Sequence, residues 1–310
     1  DEGVAADHIA GFFLGERVRA RDGGDVEETG RLLMAGEECG DAGAHGRFAG
    51  ADAVKFQTFN AERLASSKAP KAAYQERTTG KEEGQLAMLR KLELPLAWHR
   101  ELQTHAHERG IEFLSTAFDA ESLAFLQELE LPLYKVPSGE ITNAPLLWRF
   151  ARSGRPLILS TGMATLSEVE LALAIVAHGM HNDAEPAGLD DVWQGWSRSD
   201  WRDGLRDRVT LLHCTSQYPT PPHEVNLLAM DTLASAFGLK VGYSDHTEGG
   251  LIPIAAVARG ATVIEKHFTL DRRGGGPDDS FSLEPAELAA LCRGMRTAWE
   301  ALGTISYGPQ

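Results

Sequence analysis

The sequence is poor in cysteine and in basic residues, and each shortage excludes a class of protein. Three cysteines in 310 residues are too few and too scattered for a disulfide framework or a zinc cage. Lys and Arg number 30 against 45 Asp and Glu, and the net charge of −15 argues against a nucleic-acid partner. A hydrophobic share of 43% nevertheless indicates a folded chain with a sizeable core.

Targeting segments are lacking as well. A transmembrane helix needs about 18 or more consecutive apolar residues, and the sequence contains no such run, so we expect no membrane partner. The first residues also lack the basic start, apolar stretch and cleavage site of a signal peptide. These observations predict a soluble protein in a reducing, cytoplasmic setting.

The sequence also lacks a Gly-x-Gly-x-x-Gly turn, which disfavours an open dinucleotide-binding sheet. Short β-rich runs instead alternate with longer stretches of helical period, and this alternation predicts parallel strands in a (β/α)8 TIM barrel of the α/β class. The runs predicted as strands are residues 51–59, 111–118, 133–138, 156–162, 209–216, 240–246 and 262–270. An eighth strand is placed near residues 8–15.

We expect residues 1–304 to form a single barrel domain, in which residues 1–50 are a divergent first unit. Residues 182–207 interrupt the alternation with three tryptophans among seven acidic side chains. We interpret this segment as a surface insertion anchored by its aromatic side chains, and a lid over a partner or substrate is the alternative. Gly179 and Gly238 are predicted to end the helices that precede them.

Polar side chains follow the predicted strands at the end where a barrel carries its active site. Alternation directs Lys55 and Gln57 into the barrel mouth. A buried lysine needs an anionic partner, which is either a bound anion or a buried carboxylate such as Glu140 or Glu265. Together with Lys135, the hydroxyls on this rim favour a site for a phosphate or carboxylate. These hydroxyls belong to Ser115, Thr116, Ser138, Ser160, Thr161, Ser216, Tyr218 and Ser244.

Two consecutive strands each end close to a histidine. His246 and His267 are therefore expected at the same level of the barrel, where two imidazoles and an open position would suit a divalent metal. Hydrogen-bonded structural histidines are the alternative. Asp245 alternates to the opposite face and is interpreted as a structural group. Asp278, in the loop after the last strand, is a candidate contact for substrate hydroxyls.

Nine motifs in these regions closely resemble the sialic acid synthase family, whose members make N-acetylneuraminate, legionaminate and pseudaminate. They occur in family order between residue 51 and about residue 300: ADAVKFQTF, LASSKAPKAAYQ, FLSTAFD, YKVPSGEITNAPLL, LILSTGMATLSEV, LLHCTSQYPTP, GYSDHTEG, VIEKHFTLDR and GPDDSFSLEP. The resemblance implies a barrel that condenses phosphoenolpyruvate with an N-acylated amino sugar aldehyde, such as N-acetylmannosamine, and releases phosphate. It implies Mn²⁺ as the metal, with Mg²⁺ and Co²⁺ as alternatives.

The family's functional residues match individual positions of this chain. By resemblance, the phosphoenolpyruvate contacts are Lys55, Thr116, Lys135, Ser138, Ser160 and Ser244. The sugar contacts are Gln57, Phe118, Glu140, Tyr218 and Asp278, and Ser216 joins the substrate-binding set although some members have asparagine there. The metal ligands are His246 and His267. The catalytic set comprises the two lysines, Glu140 and the two histidines.

Both ends of the chain depart from the family pattern. The family begins with a strand that carries a glutamate and then an Asn-His-x-Gly turn, but Ala20 and Arg21 stand where Asn-His would, so no role is transferred to Glu16. Residues 305–310 are expected to be a remnant, without the family's C-terminal domain that resembles type III antifreeze protein. That domain reaches across a dimer in the family, and a homodimer is left open for this chain.

Three hypotheses follow for the function. The first is an active sialic acid synthase that consists of the barrel alone. The second is a related phosphoenolpyruvate-using enzyme, such as a legionaminate or pseudaminate synthase, that acts on a different sugar. The third is a non-catalytic relative that binds a ligand and turns nothing over.

Overall fold

A computed structural model describes residues 31–34, 49–80 and 84–303. Its sheet has eight strands, and seven of them lie inside the runs predicted for them. The strands are β1 Arg31–Met34, β2 Ala53–Thr58, β3 Glu112–Ala117, β4 Tyr134–Val136, β5 Leu157–Ser160, β6 Val209–Cys214, β7 Lys240–Asp245 and β8 Val263–Lys266. The strand expected near residues 8–15 and the predicted remnant 305–310 lie outside the described residues.

The strands follow one another as β3-β2-β1-β8-β7-β6-β5-β4, and every hydrogen-bonded pair is parallel. The two ends of this order, β3 and β4, are consecutive in the chain and contact each other. This is the cyclic order of a (β/α)8 barrel. The first position is filled by β1, whose Leu33 is paired with Ala53 of β2 and whose Leu32 is paired with Ile264 of β8.

Helices follow the strands and cover the outside of the sheet. They are α1 Ala61–Leu64, α2 Ala73–Thr79, α3 Gln85–Lys91, α4 Trp98–Glu108, α5 Ala120–Glu128, α6 Ala144–Arg152, α7 Leu166–His181, α8 Leu189–Trp196, α9 Ser199–Asp203, α10 Ala229–Phe237, α11 Leu251–Ala258 and α12 Pro285–Leu302. The core lies between sheet and helices, where Phe113, Phe150 and Leu211 are fully buried. None of the described helices is both long and apolar enough to cross a membrane.

One predicted helix end is correct and the other is wrong. Gly238 ends α10 in the left-handed conformation, with φ of 65°. Gly179 instead lies inside α7, which continues to His181. A Cβ atom at residue 179 would lie 2.7 Å from Ala151 Cβ, so this glycine permits the close approach of α6 and α7. Packing against the neighbouring helix, rather than termination, explains the residue.

The interpreted insertion, residues 182–207, contains α8 and α9, neither of which the sequence analysis predicted. Trp201 stacks on His181 with ring centroids 5.0 Å apart, and Trp196 donates a hydrogen bond to Glu170 over 3.0 Å. The segment connects the end of a helix to the start of β6. In a parallel barrel such a connection lies at the amino ends of the strands, opposite the predicted active site. This position disfavours the alternative of a lid over substrate.

Candidate active site

The candidate site lies where the strands end in polar side chains. The register of β7 and β8 pairs Ser244 with Glu265 and Asp245 with Lys266. Alternation then places Ser244, His246, Glu265 and His267 on the face toward the barrel mouth. Lys55 of β2 and Lys135 of β4 reach the same place, since both contact Glu265. Parallel register thus gathers residues distant in the sequence.

Two lysines and one carboxylate form the centre of this face. Lys55 Nζ lies 3.3 Å from Glu265 Oε1, and Lys135 Nζ lies 3.4 Å from Glu265 Oε2. Ser244 Oγ donates a hydrogen bond of 2.7 Å to Glu265 Oε2. The exposed fraction of all four residues is 9% or less. Of the two partners considered for Lys55, the structure therefore selects Glu265 over Glu140.

Burial and charge shift the pKa values of this cluster in opposite directions. Burial, together with repulsion by Lys135, outweighs the attraction of Glu265 and lowers the pKa of Lys55 to about 8. Burial alone would raise the pKa of Glu265, but the two lysines and the Ser244 hydrogen bond lower it to about 2. The carboxylate therefore remains charged, and Lys55 titrates closer to neutral pH than an exposed lysine.

Two buried hydroxyls at this end of the barrel have no nitrogen or oxygen hydrogen-bond partner among the described residues, and one of them, that of Ser160, lies beside the Cys214 thiol. They are Thr116 Oγ1 and Ser160 Oγ, and both residues are 1% exposed. Buried polar groups are rarely left unpaired, so these hydroxyls indicate a ligand or water in the functional protein. Ser115 and Thr161, also expected on the rim, are instead satisfied internally, by Thr58 Oγ1 and by the Leu212 carbonyl.

The two histidines lie side by side, each one residue beyond the end of its strand. Their ring centroids are 5.3 Å apart. His246 Nδ1 donates a hydrogen bond of 2.9 Å to the Thr215 carbonyl, which leaves Nε2 as a lone-pair donor. Burial lowers the pKa of His246 to about 4. Burial, together with repulsion by His246 when that ring is protonated and by Lys55, lowers the pKa of His267 well below its ordinary value. Both imidazoles are therefore neutral, as metal ligands must be.

The donor set fits a divalent metal that takes part of its coordination from other molecules. His267 Nδ1 is buried and unpartnered, and Asp278 Oδ2 is 3.6 Å from it. Within the described ranges, however, no group of three or more His, Cys, Asp or Glu side chains is arranged to hold a metal ion. The chain can offer two imidazoles as ligands, and oxygen atoms of substrate or water would have to complete the coordination.

A second group of polar and aromatic residues lies beside the histidines. The ring of Tyr218 is 4.1 Å from that of His246. Tyr74 of α2 stacks on Tyr218 at 5.2 Å, and its hydroxyl is hydrogen-bonded to Asp278. Burial and the neighbouring Asp279 raise the pKa of Asp278 to about 7. This carboxyl can therefore both donate and accept a proton near neutral pH.

Behind the site, the opposite face of β7 and β8 holds a fully buried ion pair. Lys266 Nζ is 2.6 Å from Asp245 Oδ2, and both side chains have no exposed area. The Tyr243 hydroxyl and the Thr247 amide donate to Asp245 Oδ1, and Lys266 also donates to the Thr247 carbonyl. The pair therefore fixes the backbone on either side of His246. Asp245 lies on the structural face, as alternation predicts.

The remaining predicted substrate contacts lie farther out. Gln57, Phe118, Ser138 and Glu140 are half-buried, and Ser216 is exposed. Phe118 packs edge-on against Phe59 with centroids 6.0 Å apart. Glu140 Oε2 accepts a hydrogen bond of 2.7 Å from Asn143. The observed contacts bring the lysines together with Ser244 through Glu265, and the histidines together with Tyr218 and Asp278. No contact of Glu140 with the lysines or histidines is observed among the described residues.

Two members of the site, Glu265 and Tyr74, are not among the site residues predicted from the sequence. Glu265 is expected there only as a partner of Lys55, although its position two residues before His267 puts it on the same face. Tyr74 belongs to a matching motif but received no role. Its contacts depend on how the connection after β2 folds over the barrel mouth, and no local period of the sequence encodes that path.

Comparisons with known proteins match most of the chain. The sequence model of the NeuB family matches residues 44–307. An N,N'-diacetyllegionaminic acid synthase from Campylobacter jejuni is 50% identical over 254 residues, which are 82% of this chain and 69% of that protein. A protein of the same name from Legionella pneumophila is 42% identical over 297 residues, which are 96% of this chain and 75% of that protein.

A solved structure shares the fold. The crystal structure of an N-acetylneuraminic acid (sialic acid) synthetase from Leptospira borgpetersenii, in complex with citrate, superposes with a TM-score of 0.71. The two sequences are 29% identical, and the superposition covers 96% of this chain and 93% of that chain.

Proposed function

The chain belongs to the NeuB family, and on that premise we propose that it is a nonulosonic acid synthase. C3 of phosphoenolpyruvate forms a bond to the aldehyde carbon of an open-chain N-acylated amino sugar. Water adds at C2, and the C2–O bond to phosphate then breaks. The proposal rests on one observation. Two buried lysines and two neutral histidines lie on the same face of the barrel.

The lysine side of the site is suited to phosphoenolpyruvate. Lys55 and Lys135 can balance its negative charges, and the unpartnered hydroxyls of Thr116 and Ser160 can donate directional hydrogen bonds to its oxygens. Burial removes competing water, which strengthens each of these interactions. Glu265, 3.3–3.4 Å from both ammonium groups, is the carboxylate available to stabilise positive charge that develops at C2.

The histidine side of the site is suited to a divalent metal, with Mn²⁺ as the first choice and Mg²⁺ and Co²⁺ as alternatives. His246 and His267 would hold it, and it would supply Lewis-acid activation of the sugar aldehyde. The Thr215 carbonyl fixes the tautomer of His246, and Asp278 lies beside His267. Tyr218 and Asp278 would contact the sugar here.

Substitution of the histidines tests the metal assignment. We expect His246→Ala and His267→Ala each to abolish activity and to weaken Mn²⁺ binding in calorimetry. Both variants should still fold, as circular dichroism can check, with a lowered melting temperature because each substitution removes a buried side chain. His223, whose side chain is 80% exposed, offers the control variant His223→Ala. Full activity or undiminished Mn²⁺ affinity in either site variant would refute the assignment.

The acceptor sugar is proposed to carry N-acyl groups. N-Acetylmannosamine is one candidate. The two relatives named N,N'-diacetyllegionaminic acid synthase favour a six-carbon sugar with two acetamido groups, which is what remains when three carbons of phosphoenolpyruvate are removed from that product. A pseudaminate-type precursor of different configuration is the third candidate.

A phosphate-release assay tests the proposed function and separates the sugars. The protein is supplied with Mn²⁺, phosphoenolpyruvate and one of the three sugars. A reaction without any sugar is the control. We expect release that depends on one sugar, and the diacetamido sugar of legionaminate type is expected to give the highest kcat/KM. Mn²⁺ binding without release on any sugar would instead identify a non-catalytic relative.

A further inference from the structure

Tyr74 lies at the barrel mouth, contacts a neighbour of each histidine and has no role in the reaction described above. It belongs to α2, in the connection that follows β2. Its hydroxyl is hydrogen-bonded to its neighbour Gln75 and to Asp278, in the connection after β8. Its ring stacks on Tyr218, in the connection after β6, with an interplanar angle of 22°. The side chain of Tyr74 thus links the connections that follow β2, β6 and β8.

Both partners of Tyr74 lie directly against the histidines. Tyr218 packs on His246 with centroids 4.1 Å apart, and Asp278 approaches His267 Nδ1 to 3.6 Å. Asp278 Oδ1 has no partner among the described residues although Asp278 is only 5% exposed. One of its oxygens is thus available to a ligand while the carboxyl is held by Tyr74.

We propose that Tyr74 is a positioning residue for the acceptor sugar, which holds the Asp278 carboxyl and the Tyr218 ring in place beside the two histidines. This inference rests on the proposed function, because Tyr218 and Asp278 are its sugar contacts. It extends that function by assigning the connection after β2 to sugar recognition. Loss of the Tyr74 hydroxyl releases Asp278, whereas loss of the ring also releases Tyr218.

The variant Tyr74→Phe tests the inference because it removes only the hydroxyl. We expect the KM for the sugar to rise about tenfold, the scale of one lost hydrogen bond, while the KM for phosphoenolpyruvate stays within about twofold. Tyr74→Leu should raise the KM for the sugar further, because it also removes the stacked ring. In both variants the affinity for Mn²⁺, measured by calorimetry without substrates, should remain within about threefold of the wild-type value.

A matched control removes a hydroxyl elsewhere. Tyr134 is buried on β4 against Phe150, and its hydroxyl reaches the Leu126 carbonyl over 3.5 Å, on the side that faces the helices. Tyr134→Phe should leave both KM values unchanged. Equal kinetics for wild type and Tyr74→Phe, or a parallel rise of both KM values, would overturn the role of Tyr74 alone. A wild-type protein that turns over no sugar would overturn the proposed function and this role together.

Discussion

Lys55 shows most clearly how a single residue is set by its surroundings. Sequence alternation correctly directs it into the barrel mouth, and the buried carboxylate weighed as its partner is Glu265. The choice between Glu265 and Glu140 depends on strand register, which one strand's sequence does not contain. The same holds for Tyr74, whose partners come from distant connections. The sequence of one strand thus predicts which face a side chain lies on, but it does not predict the side chain's partners at the site.

The lowered pKa of Lys55 predicts a pH dependence for phosphoenolpyruvate binding. Its pKa of about 8 means that the ammonium group loses its proton as the pH rises above that value, well before an ordinary lysine would. The neutral amine no longer balances the anionic substrate. We therefore expect kcat/KM for phosphoenolpyruvate to fall with rising pH above about 8, by up to tenfold per pH unit, in steady-state kinetics.

Lys55→Arg is the control for this pH dependence. A guanidinium group remains protonated throughout the accessible range, so the decline above pH 8 should disappear even if the absolute activity is lower. A variant that keeps the same decline would show that another group causes it.

The elements follow the sequence closely wherever one local rule acts alone. Asp119 and Thr165 cap their helices, as side-chain acceptors at the first turn should, and Gly238 ends α10. Gly179, like Gly238, follows a stretch of helical period, but it lies within α7. Residue 179 is glycine because close contact with α6 leaves no room for a side chain. A rule for helix ends cannot distinguish a terminating glycine from one that permits close packing.

Gly179→Ala tests this packing explanation. Alanine at an unhindered helix position would stabilise the fold by about 1 kcal/mol. Here the new Cβ would meet Ala151 Cβ at 2.7 Å and the Trp148 carbonyl at 3.1 Å, neither of which can rotate away. We expect the free energy of unfolding in urea to fall by about 1–3 kcal/mol, because overpacking exceeds the gain in propensity.

Gly294 provides a matched comparison within α12. Its nearest neighbour for a new Cβ is the Cδ1 atom of Ile254 at 2.6 Å, the mobile end of a side chain. Gly294→Ala should therefore leave the free energy of unfolding within about 1 kcal/mol of the wild-type value. Equal effects of the two substitutions would contradict the explanation for Gly179.

At the scale of the whole molecule, the candidate active site and the helices of residues 182–207 lie at opposite ends of the barrel. The cluster of lysines and histidines lies at the carboxyl ends of the strands, whereas α8 and α9 lie at the amino ends. A net charge of −15 repels anions, so the buried positive charge of Lys55 and Lys135 is a local exception that an anionic substrate requires. Alternating periods predict this architecture, but they do not predict the helices of residues 182–207, where Trp196 and Trp201 make tertiary contacts.

The most direct test of the account follows the carbon atoms of phosphoenolpyruvate. The protein is incubated with Mn²⁺, uniformly ¹³C-labelled phosphoenolpyruvate and an N-acylated amino sugar, and the products are analysed by mass spectrometry. We expect a sugar acid that contains all three labelled carbons, formed in equal amount to the phosphate released. Phosphate release with the label recovered only as pyruvate would mean that no carbon–carbon bond forms, and would contradict the account.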